Sequence, residues 1–400
     1  MRSILHCDLN GFFASVECLR RPELKNVPMA VSGDPKLRHG IILAKNEIAK
    51  KYGIYTPETV YSAKKKCPNL VLVEPHYEEY KKYSKLVNLI YLKYTDKVEP
   101  FSIDEAFLDI TESISLFGSP KEIAYKIKEE VKNTLGLTIS VGVSFNKIFA
   151  KMGSDMKKPD AITIIDYEHF KEIIHPLPVE NMLFVGKSTK EALKKMRIDT
   201  IGDIAGYDMN KLVKKFGKMG IQLYHYANGI DDSEVNYYNV KHFPKSISKG
   251  ITFAKDISDI TLLTEIVMKL AEEVSKSLRS KNMKCSNVCI SIKYNDFSVI
   301  NRQKKIFKTD LFQDISKIAV EILKENYNHN PVRKLTLALS MLESLDDEVQ
   351  LDLFTLQVEK GEASSNKKIE TVSKVVDDMQ NRFGTDKVKF GMLIHNNKKI

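Results

Sequence analysis

The fold is decided by residues 3–13, which read SILHCDLNGFF. The short apolar run Ile4–Cys7 has the length and composition of a buried strand, and Asp8 follows it directly. The residues after it, Phe12–Leu19, have the apolar spacing of a helix. This stretch therefore predicts a strand that ends in a carboxylate and is followed at once by a helix.

A second acidic cluster lies in residues 98–109, which read VEPFSIDEAFLD. Asp104 and Glu105 stand between two strand-like segments, 98–101 and 106–110, which we expect to form a hairpin. Carboxylates that converge at strand ends suit a pair of Mg²⁺ ions, which take oxygen ligands and catalyse phosphoryl transfer. The predicted catalytic residues and metal ligands are Asp8, Asp104 and Glu105, joined by the carbonyl oxygen of Leu9 as a metal ligand.

Each acidic cluster also has an ordinary explanation when it is taken alone. Asp8 could be a plain strand-end aspartate, and Asp104 with Glu105 could form a turn of solvated charges. The occurrence of both clusters in strongly apolar surroundings favours one shared site over two unrelated ones.

The bulk composition describes a globular chain of 400 residues with 43% hydrophobic residues. The net charge of +10 favours an anionic partner, nucleic acid first, although charge alone is equally compatible with an ordinary soluble basic protein. Five scattered cysteines argue against a disulfide framework, and we expect reduced thiols in the cytoplasm. The sequence shows neither a signal peptide nor an apolar run long enough for a bilayer, so we expect no membrane association.

Along the chain the pattern is α+β. Residues 1–165 alternate strand-like and helix-like stretches, which predicts a sheet backed by helices. Residues 166–230 hold short helices punctuated by glycines, and the polar residues 231–246 are expected to form a linker. Residues 247–342 form a second α+β unit with two amphipathic helices, 260–274 and 311–323. After an exposed acidic and Ser/Lys-rich stretch, the spacing of apolar residues 369–379 predicts one last helix.

Three motifs of the first 160 residues resemble the Y family of translesion DNA polymerases. The first spans residues 6–17, HCDLNGFFASVE, and the second spans residues 98–109. The third runs from residue 141, VGVSFNK, through Asp155 to Lys158 and Pro159. Their order and spacing match that family. The motif sequences most resemble those of the bacterial DinB branch in Gram-positive organisms. The resemblance covers roughly residues 1–355 and is looser after residue 160.

The resemblance implies a right-hand polymerase with a ferredoxin-like palm, small fingers, a helical helix–hairpin–helix thumb and an α+β little finger. It implies template-directed addition of deoxynucleotides to a primer, specialised for synthesis across damaged DNA, by a monomer that uses two Mg²⁺ ions. The implied bounds are 1–10 and 74–165 for the palm, 11–73 for the fingers, 166–230 for the thumb, 231–246 for a linker, 247–342 for the little finger and 343–400 for a C-terminal tail.

The resemblance also implies roles around the nucleotide. Phe13 would be a steric gate, its ring lying where a ribose 2′-hydroxyl would project. The backbone amides of Phe12 and Phe13 would meet the β- and γ-phosphates near a helix start, and Lys158 would reach the triphosphate. Without the adjacent Asp8, the two phenylalanines would be interpreted as plain core aromatics.

The fingers motif departs from the common family pattern of Thr-Ala-Asn-Tyr, two residues and Arg. Residues 44–50 read AKNEIAK, so Lys50 replaces the arginine and keeps its charge without its two-pronged geometry. Glu47 replaces the tyrosine and would repel a phosphate unless it points away or pairs with a lysine. Lys45 is a candidate to compensate. The UmuC-like branch looks similar here, so we interpret the change as a subgroup feature of an active enzyme.

The remaining implied sites concern DNA and a protein partner. Residues 183–189 would form the thumb hairpin, with Gly186 and Lys187 against DNA phosphates; the alternative is an ordinary helix–turn–helix corner. The little-finger phosphate contacts would be Lys245, Lys249 and Arg302, which could instead belong to a solvated face. Residues 350–354, QLDLF, resemble a sliding-clamp-binding peptide, and the alternative is a last little-finger strand. The residues expected to dock into the clamp are Gln350, Leu353 and Phe354.

Two other functions are compatible with part of the sequence. A nucleotide cyclase also uses paired carboxylates on a similar sheet, but it needs neither a thumb-like hairpin nor a basic second unit. A non-catalytic DNA-binding scaffold would explain Glu47 and the charge of +10, but not a complete carboxylate triad.

Overall fold

The computed structural model describes residues 1–38, 40–240, 243–344, 371–373, 375–384 and 387–388. The chain divides into two compact units. The first comprises Met1–Pro35 with residues 39–241, and the second comprises Lys36–Arg38 with residues 242–400.

The described strands and helices follow one another in α+β order. The strands are β1 (Ile4–Leu9), β2 (Met29–Ser32), β3 (Ile42–Lys45), β4 (Val71–Val73), β5 (Val98–Pro100), β6 (Glu105–Asp109), β7 (Ile139–Ser144), β8 (Ile162–Ile165), β9 (Ser246–Ile257), β10 (Met283–Tyr294), β11 (Val299–Thr309) and β12 (Val332–Ser344). The α-helices are α1 (Phe12–Arg20), α2 (Glu47–Lys51), α3 (Val60–Lys66), α4 (Tyr77–Tyr91), α5 (Ile114–Phe117), α6 (Pro120–Leu135), α7 (Lys147–Met156), α8 (Phe170–Ile174), α9 (Lys187–Lys195), α10 (Ile201–Ala205), α11 (Met209–Phe216), α12 (Lys218–Ala227), α13 (Ile260–Arg279) and α14 (Phe312–Asn326).

The largest sheet of the first unit has the strand order β5-β6-β1-β7-β8, with β1 at its centre. All six residues of β1 are buried. Because side chains alternate along a strand, β1 serves both faces of the sheet. Leu5, Cys7 and Leu9 pack into a core with residues of α4 and α6. Ile4 packs with Phe107 and with a residue of α7 on the opposite face, and Asp8 lies on that face too.

The helices behind this sheet begin and end where their capping residues stand. Helix α6 starts with a capping box between Ser119 and Glu122, has proline at its first turn, and ends at Gly136 with φ of +68°. Helix α7 starts at Asn146, whose side chain accepts a hydrogen bond from the Phe149 amide. The sequence pattern predicts helices over residues 120–135 and 147–156, and the structure confirms both spans.

A smaller sheet, β3-β2-β4, supports α1, α2 and α3. Asn46 joins these parts: its Oδ1 caps α2 through the Ala49 amide at 2.9 Å, and its Nδ2 donates to the Val27 carbonyl at 2.8 Å. Helices α8 to α12 follow β8 and share a separate apolar core. The predicted helical character of residues 166–230 is confirmed.

The polar segment after α12 is attached to the first unit over its first residues. Arg2 donates to the Ser233 carbonyl at 2.8 Å, and the Asn236 amide donates to Glu99 Oε2 at 2.9 Å. Val235 is buried. The polarity of residues 231–246 predicted a linker, but it did not predict that the first of these residues bind the first unit through hydrogen bonds and a buried valine.

The second unit is an antiparallel sheet in the order β11-β10-β12-β9, with α13 and α14 packed on one face. Strand-like runs over residues 287–292 and 335–341 predict the two central strands, and the structure confirms them together with both predicted helices. The sequence reasoning missed the edge strands β9 and β11, whose basic residues it interpreted only as phosphate contacts. Edge strands carry charge because it discourages pairing with other chains, and that charge weakens the alternation that signals a strand.

Described residues near the C-terminus, 371–373 and 375–383, are helical, as the apolar spacing predicted. The face that packs is polar: Asp377 forms an ion pair with Arg279 of α13 at 2.6 Å, and Gln380 donates to Glu272 at 2.9 Å. Val375 and Met379, by contrast, are about half exposed. The spacing of the apolar residues correctly predicted a helix, but it did not predict which face of that helix packs.

All five cysteines are free. Within the part of the chain that the structure describes, every helix is too short or too polar to cross a membrane.

The sheet and α7 lie very close together at Gly142 of β7. A Cβ added there would lie 1.9 Å from the Ala150 carbonyl oxygen and 2.5 Å from the Ser154 amide nitrogen. We expect Gly142→Ala to lower the free energy of unfolding by about 3 kcal/mol, because backbone atoms must move apart. Urea denaturation measures the change.

The matched control is Gly206→Ala, since a Cβ at that position meets only the Gly202 carbonyl oxygen at an ordinary 3.6 Å. Its unfolding midpoint should stay close to that of the wild type. Equal stability of the two variants would contradict the close approach.

Candidate active site

The centre of the site is the pairing of β1 with β6. Asp8 lies directly opposite Glu105 in the antiparallel register, so the two carboxylates project side by side from the same face of the sheet. Two lysines face them. Lys151 Nζ of α7 lies 2.8 Å from Glu105 Oε1 and 3.5 Å from Asp8 Oδ2. Lys158 Nζ lies 2.8 Å from Asp8 Oδ2.

The electrostatics of this pair is unequal. Burial raises the pKa of Asp8 to about 6, against the lowering effect of Lys158. Burial also acts to raise the pKa of Glu105, but the neighbouring His6 ring and the hydrogen bond from the Lys151 ammonium group hold that pKa well below its usual range. Glu105 is therefore the carboxylate that keeps its charge, and Asp8 is the one that takes up a proton first as the pH falls.

His6 lies beside the Asp8–Glu105 pair, between Glu105 and α7. The ring is fully buried, with Nδ1 2.8 Å from Ser154 Oγ of α7 and Nε2 3.6 Å from Glu105 Oε2. Burial lowers the pKa of His6, which favours the neutral ring. Sequence reasoning missed both His6 and Lys151 as site residues. The sequence did carry a positional signal for both residues. His6 lies two residues before Asp8 and therefore on the same face of β1. Lys151 is placed on that face by its position in α7, counted from the start of the helix at Lys147.

Asp104 stands apart from the other two carboxylates in this state. Its Oδ1 accepts a hydrogen bond from Ser102 Oγ at 2.5 Å, while its backbone carbonyl accepts from the Leu9 amide at 3.0 Å. Among the described residues, no group of three His, Cys, Asp or Glu side chains is arranged to hold a metal ion. The donor chemistry nevertheless fits a hard cation such as Mg²⁺, because the side chains that converge here offer carboxylate oxygens. The ammonium groups of Lys151 and Lys158 now balance the negative charge that such a cation would balance.

The loop that carries Lys158 is fixed to the sheet. Asn10 Oδ1 accepts from the Asp160 amide at 2.9 Å, and Asn10 Nδ2 donates to Ser140 Oγ at 2.9 Å. The Asp160 carboxylate binds Lys128 and Lys132 of α6, both at 2.9 Å. These contacts hold the base of Lys158 while its ammonium group remains partly exposed.

The turn from β1 into α1 lies just after Asp8, and the first amides of that helix receive no side-chain cap among the described residues. Gly11 precedes the helix with φ of +52°, a left-handed conformation that favours glycine, and a Cβ there would lie 3.2 Å from the Lys45 carbonyl oxygen. Phe12 is buried in the core, while Phe13 is half-buried. The ring of Phe13 stacks on that of Tyr80, with centroids 4.1 Å apart and planes 11° from parallel.

Tyr80 is itself held by a buried carboxylate that the sequence reasoning did not single out. Its hydroxyl donates to Glu17 Oε1 at 2.6 Å, and Glu17 is fully buried. His76 Nδ1 lies 2.9 Å from the same oxygen, and Arg20 donates to Oε2 at 3.1 Å. A hydrogen-bonded network therefore fixes the aromatic surface against which Phe13 packs.

In the fingers segment, Glu47 pairs with a lysine, one of the two arrangements considered from the sequence. The partner is Lys50, at 3.8 Å across one turn of α2, and both side chains are more than half exposed. Lys45 Nζ donates to Thr56 Oγ1 at 3.3 Å. Lys45 and Glu47 also line a cavity of about 280 Å³, together with Asn10 and Gly11.

The predicted DNA-contacting residues of the first unit lie at a helix start. Gly186 precedes α9 and Lys187 is its first residue, and both are exposed. Phe184, with φ of +71°, turns the chain just before them. The first amides of α9 are therefore open to solvent.

In the second unit, Lys249 and Arg302 do not point to the open face of their sheet. Lys249 lies opposite buried Leu337, and Arg302 lies opposite buried Ile290, so both share the face covered by helices. Lys249 approaches Glu273 of α13 at 3.9 Å, and Arg302 donates to Asn326 of α14 at 3.1 Å. Lys245 precedes β9 and is exposed.

The open face of that sheet has mainly polar or small side chains instead. They include Asn287, Cys289 and Ser291 of β10, Asn301, Gln303 and Lys305 of β11, and Thr336, Ala338 and Ser340 of β12. The clamp-binding residues Gln350, Leu353 and Phe354 lie outside the described residues.

Three family models match the chain. The impB/mucB/samB family model matches residues 7–155, and the C-terminal domain model of the same family matches residues 244–353. A model described as the thumb domain of DNA polymerase-iota matches residues 184–231.

Curated relatives extend over nearly the whole chain. The protein named DNA polymerase IV from Acetivibrio thermocellus is 44% identical over 98% of both chains. The proteins of that name from Clostridium kluyveri and Clostridium acetobutylicum are 40% and 36% identical, each over 99% of both chains.

Among solved structures, a Y-family DNA polymerase chimera superposes with a TM-score of 0.78 at 23% identity, covering 86% of this chain and 99% of its own. That likeness concerns the fold alone. With the family models and the relatives, it defines the class: the chain belongs to the impB/mucB/samB family, the Y-family DNA polymerases, and is an enzyme of that class. Within the class it falls with the clostridial proteins named DNA polymerase IV, the DinB branch.

Lys151 is the internal counter-charge of the carboxylate pair, so its removal should be felt most without metal. We expect Lys151→Met to lower the free energy of unfolding of the metal-free protein by about 3 kcal/mol, since it leaves the Glu105 carboxylate without its lysine partner. Added Mg²⁺ should raise the melting temperature of the variant more than that of the wild type. Thermal denaturation with and without Mg²⁺ measures both effects.

The matched control is Lys132→Met, because its partner Asp160 keeps Lys128 and the side chain is nearly half exposed. That variant should lose at most about 1 kcal/mol and show no added response to Mg²⁺. A Lys151→Met protein as stable as the wild type in EDTA would contradict the counter-charge role.

Proposed function

We propose that this protein is a template-directed DNA polymerase that adds deoxynucleotides to a primer 3′ end across damaged template positions. The observation that carries the proposal is the juxtaposition of Asp8 and Glu105 with the free amides at the start of α1. Carboxylates for cations and amides for phosphates meet at one strand end, as nucleotidyl transfer requires.

Two Mg²⁺ ions would be held by Asp8, Asp104, Glu105 and the Leu9 carbonyl oxygen. When bound, they would lower the pKa of the primer hydroxyl and stabilise the leaving pyrophosphate. Asp104 would have to leave Ser102 to join the other two, and its backbone is already tied to Leu9.

The triphosphate would be bound mainly by this chain's amides and lysines. The amides of Phe12 and Phe13 at the start of α1 would donate to the β- and γ-phosphates. Lys158, now paired with Asp8 at 2.8 Å, would exchange that carboxylate for a phosphate oxygen. Lys50 and Lys45 would add positive charge from the fingers, with the Glu47 carboxylate kept on Lys50 rather than facing the phosphates.

Phe13 is proposed as the steric gate against ribonucleotides. The stacked Tyr80 ring at 4.1 Å and the buried Glu17 behind it prevent Phe13 from moving away from an added 2′-hydroxyl. A gate works only when its aromatic side chain has no room to retreat, and this arrangement supplies that support.

Primer-template DNA is the proposed macromolecular partner. Gly186 and Lys187 would hold backbone phosphates through the open amides of α9. Lys245, Lys249 and Arg302 are proposed at the edges of the second unit's sheet, where Lys249 and Arg302 would have to leave their contacts to α13 and α14. Phosphate contacts of this kind position a duplex without selecting its sequence, which suits synthesis on damaged templates.

We also propose a sliding clamp as a partner and action as a monomer. The support is the sequence QLDLF at residues 350–354, in which Gln350 would enter a polar pocket and Leu353 with Phe354 a hydrophobic one. An extended peptide of this kind needs no fold of its own to bind.

The metal ligands are tested by Asp104→Ala in a primer-extension assay with Mg²⁺. We expect the extension rate to fall on the order of a hundred- to a thousandfold, because one metal-binding oxygen group is lost. Asp96→Ala is the control, an exposed aspartate just before the same hairpin, and should leave the rate unchanged. Normal extension by Asp104→Ala would overturn the assignment.

The gate is tested by Phe13→Ala with single ribonucleotides in place of deoxynucleotides. We expect the preference for the deoxy sugar to fall by at least about tenfold, since the void accepts a 2′-hydroxyl. The ratio of kcat/KM for the two sugars measures it, and Phe117→Ala, another partly buried ring of the same unit, serves as control. An unchanged ratio would remove the gate role.

A further inference from the structure

The fingers segment 50–66 carries a concentrated positive charge that the proposed chemistry does not use in full. It contains Lys50, Lys51, Lys64, Lys65 and Lys66, while Glu58 is its only carboxylate. A lysine run by itself is usually a solvated face, so charge alone carries no conclusion here.

The aromatic residues of the same segment change that interpretation. Tyr55 is 56% exposed and Tyr61 is 72% exposed. Lys66 Nζ lies 4.4 Å from the centroid of the Tyr55 ring, and Lys65 Nζ lies 4.6 Å from that of Tyr61. Two neighbouring lysines of α3 thus place one ammonium group over each of two exposed rings. We call these four side chains the tyrosine–lysine surface.

Part of this surface is held rigidly by Glu58, whose carboxylate is buried beneath it. Glu58 accepts from the Tyr55 amide at 2.8 Å, from Ser62 Oγ at 2.8 Å and from Lys66 Nζ at 2.9 Å. Lys66 Nζ also donates to the Gly53 carbonyl at 2.8 Å. The loop carrying Tyr55 and the helix carrying Tyr61 are therefore fastened together.

Glu58 neutralises only one of the lysines. Within the residues that the structure describes, Lys64 and Lys65 form no ion pair, so their charges face solvent beside the two rings. Exposed aromatic faces interleaved with unpaired ammonium groups suit a ligand that presents flat apolar faces and phosphates together. Single-stranded nucleic acid does so, whereas the bases of a duplex are covered and an acidic peptide has no row of flat faces.

We propose that the tyrosine–lysine surface binds single-stranded nucleic acid, with bases stacked on Tyr55 and Tyr61 and phosphates against Lys65 and its neighbours. The surface adjoins the nucleotide side of the first unit. Tyr55 is followed by Thr56, which holds Lys45, and the backbone of Lys45 packs against Gly11 at the start of α1. The bound strand is the single-stranded template ahead of the copied position, an assignment that rests on the proposed polymerase function.

Binding is measured with the full-length protein by fluorescence anisotropy of a labelled twenty-nucleotide thymidine strand. We expect the double variant Tyr55→Ala/Tyr61→Ala to bind about tenfold or more weakly, because two stacking faces are lost. Lys65→Gln should reduce the slope of log affinity against log salt by about 0.7. The affinity for a blunt duplex should not change in either variant.

The matched control is Tyr125→Ala, an equally exposed tyrosine of α6 with Lys128 5.9 Å from its ring centroid. Lys128 is already neutralised by Asp160 and Glu129, so this variant should bind the strand as the wild type does. An undiminished affinity of the double variant would overturn the proposal. So would an equal loss for a polyglutamate probe, which would show a general anion surface.

Primer extension on templates with overhangs of two and twenty nucleotides tests the template assignment. The double variant should lose its advantage on the long overhang and match the wild type on the short one. Equal behaviour on both would overturn the assignment to the template. If the wild type itself extends no primer, the polymerase function fails while the single-strand binding remains decided by anisotropy.

Discussion

The rest of the site depends on the register of one strand pair, in which Asp8 of β1 stands opposite Glu105 of β6. Two carboxylates on neighbouring strands repel each other, and burial strengthens that repulsion. Lys151 and Lys158 offset it, one from α7 and one from the loop before β8. A shift of one residue in the pairing would place the two carboxylates on opposite faces of the sheet and break the site.

Helix α7 can supply its lysine only because it lies very close to the sheet. Gly142 permits that approach, and on the neighbouring strand His6 fills the space beside it and reaches Ser154. The contact between α7 and the sheet thus fills the space between them and also brings Lys151 to the carboxylates. This explains why the carboxylate face of the sheet is tightly packed although it carries several charged side chains.

Much of this architecture could be predicted from the sequence, because local signals agree with the tertiary structure there. Ser119, Asn146 and Gly136 mark helix ends through their own hydrogen bonds and backbone angles, and apolar stripes mark the buried faces of α13 and α14. The carboxylates and Phe13 were found through motifs of fixed spacing.

The remainder depends on contacts between residues distant in sequence. Lys151 and Glu17 gain their roles from partners on other elements, and the direction of Lys249 follows from a strand register that its neighbours do not reveal. The C-terminal helix gives the same lesson: its apolar period predicted a helix, while ion pairs through Asp377 decided which side packs.

The buried Glu17 beneath Tyr80 has a consequence for how sugar choice can evolve. In the proposed gate the discriminating ring is Phe13, and its stiffness comes from a hydrogen-bond network that begins at a carboxylate with no exposed surface. Discrimination between two sugars then depends on how rigidly the residues behind the pocket, Tyr80 and Glu17, hold the Phe13 ring. Selectivity can drift through substitutions that never touch a nucleotide, while every residue that lines the pocket stays the same.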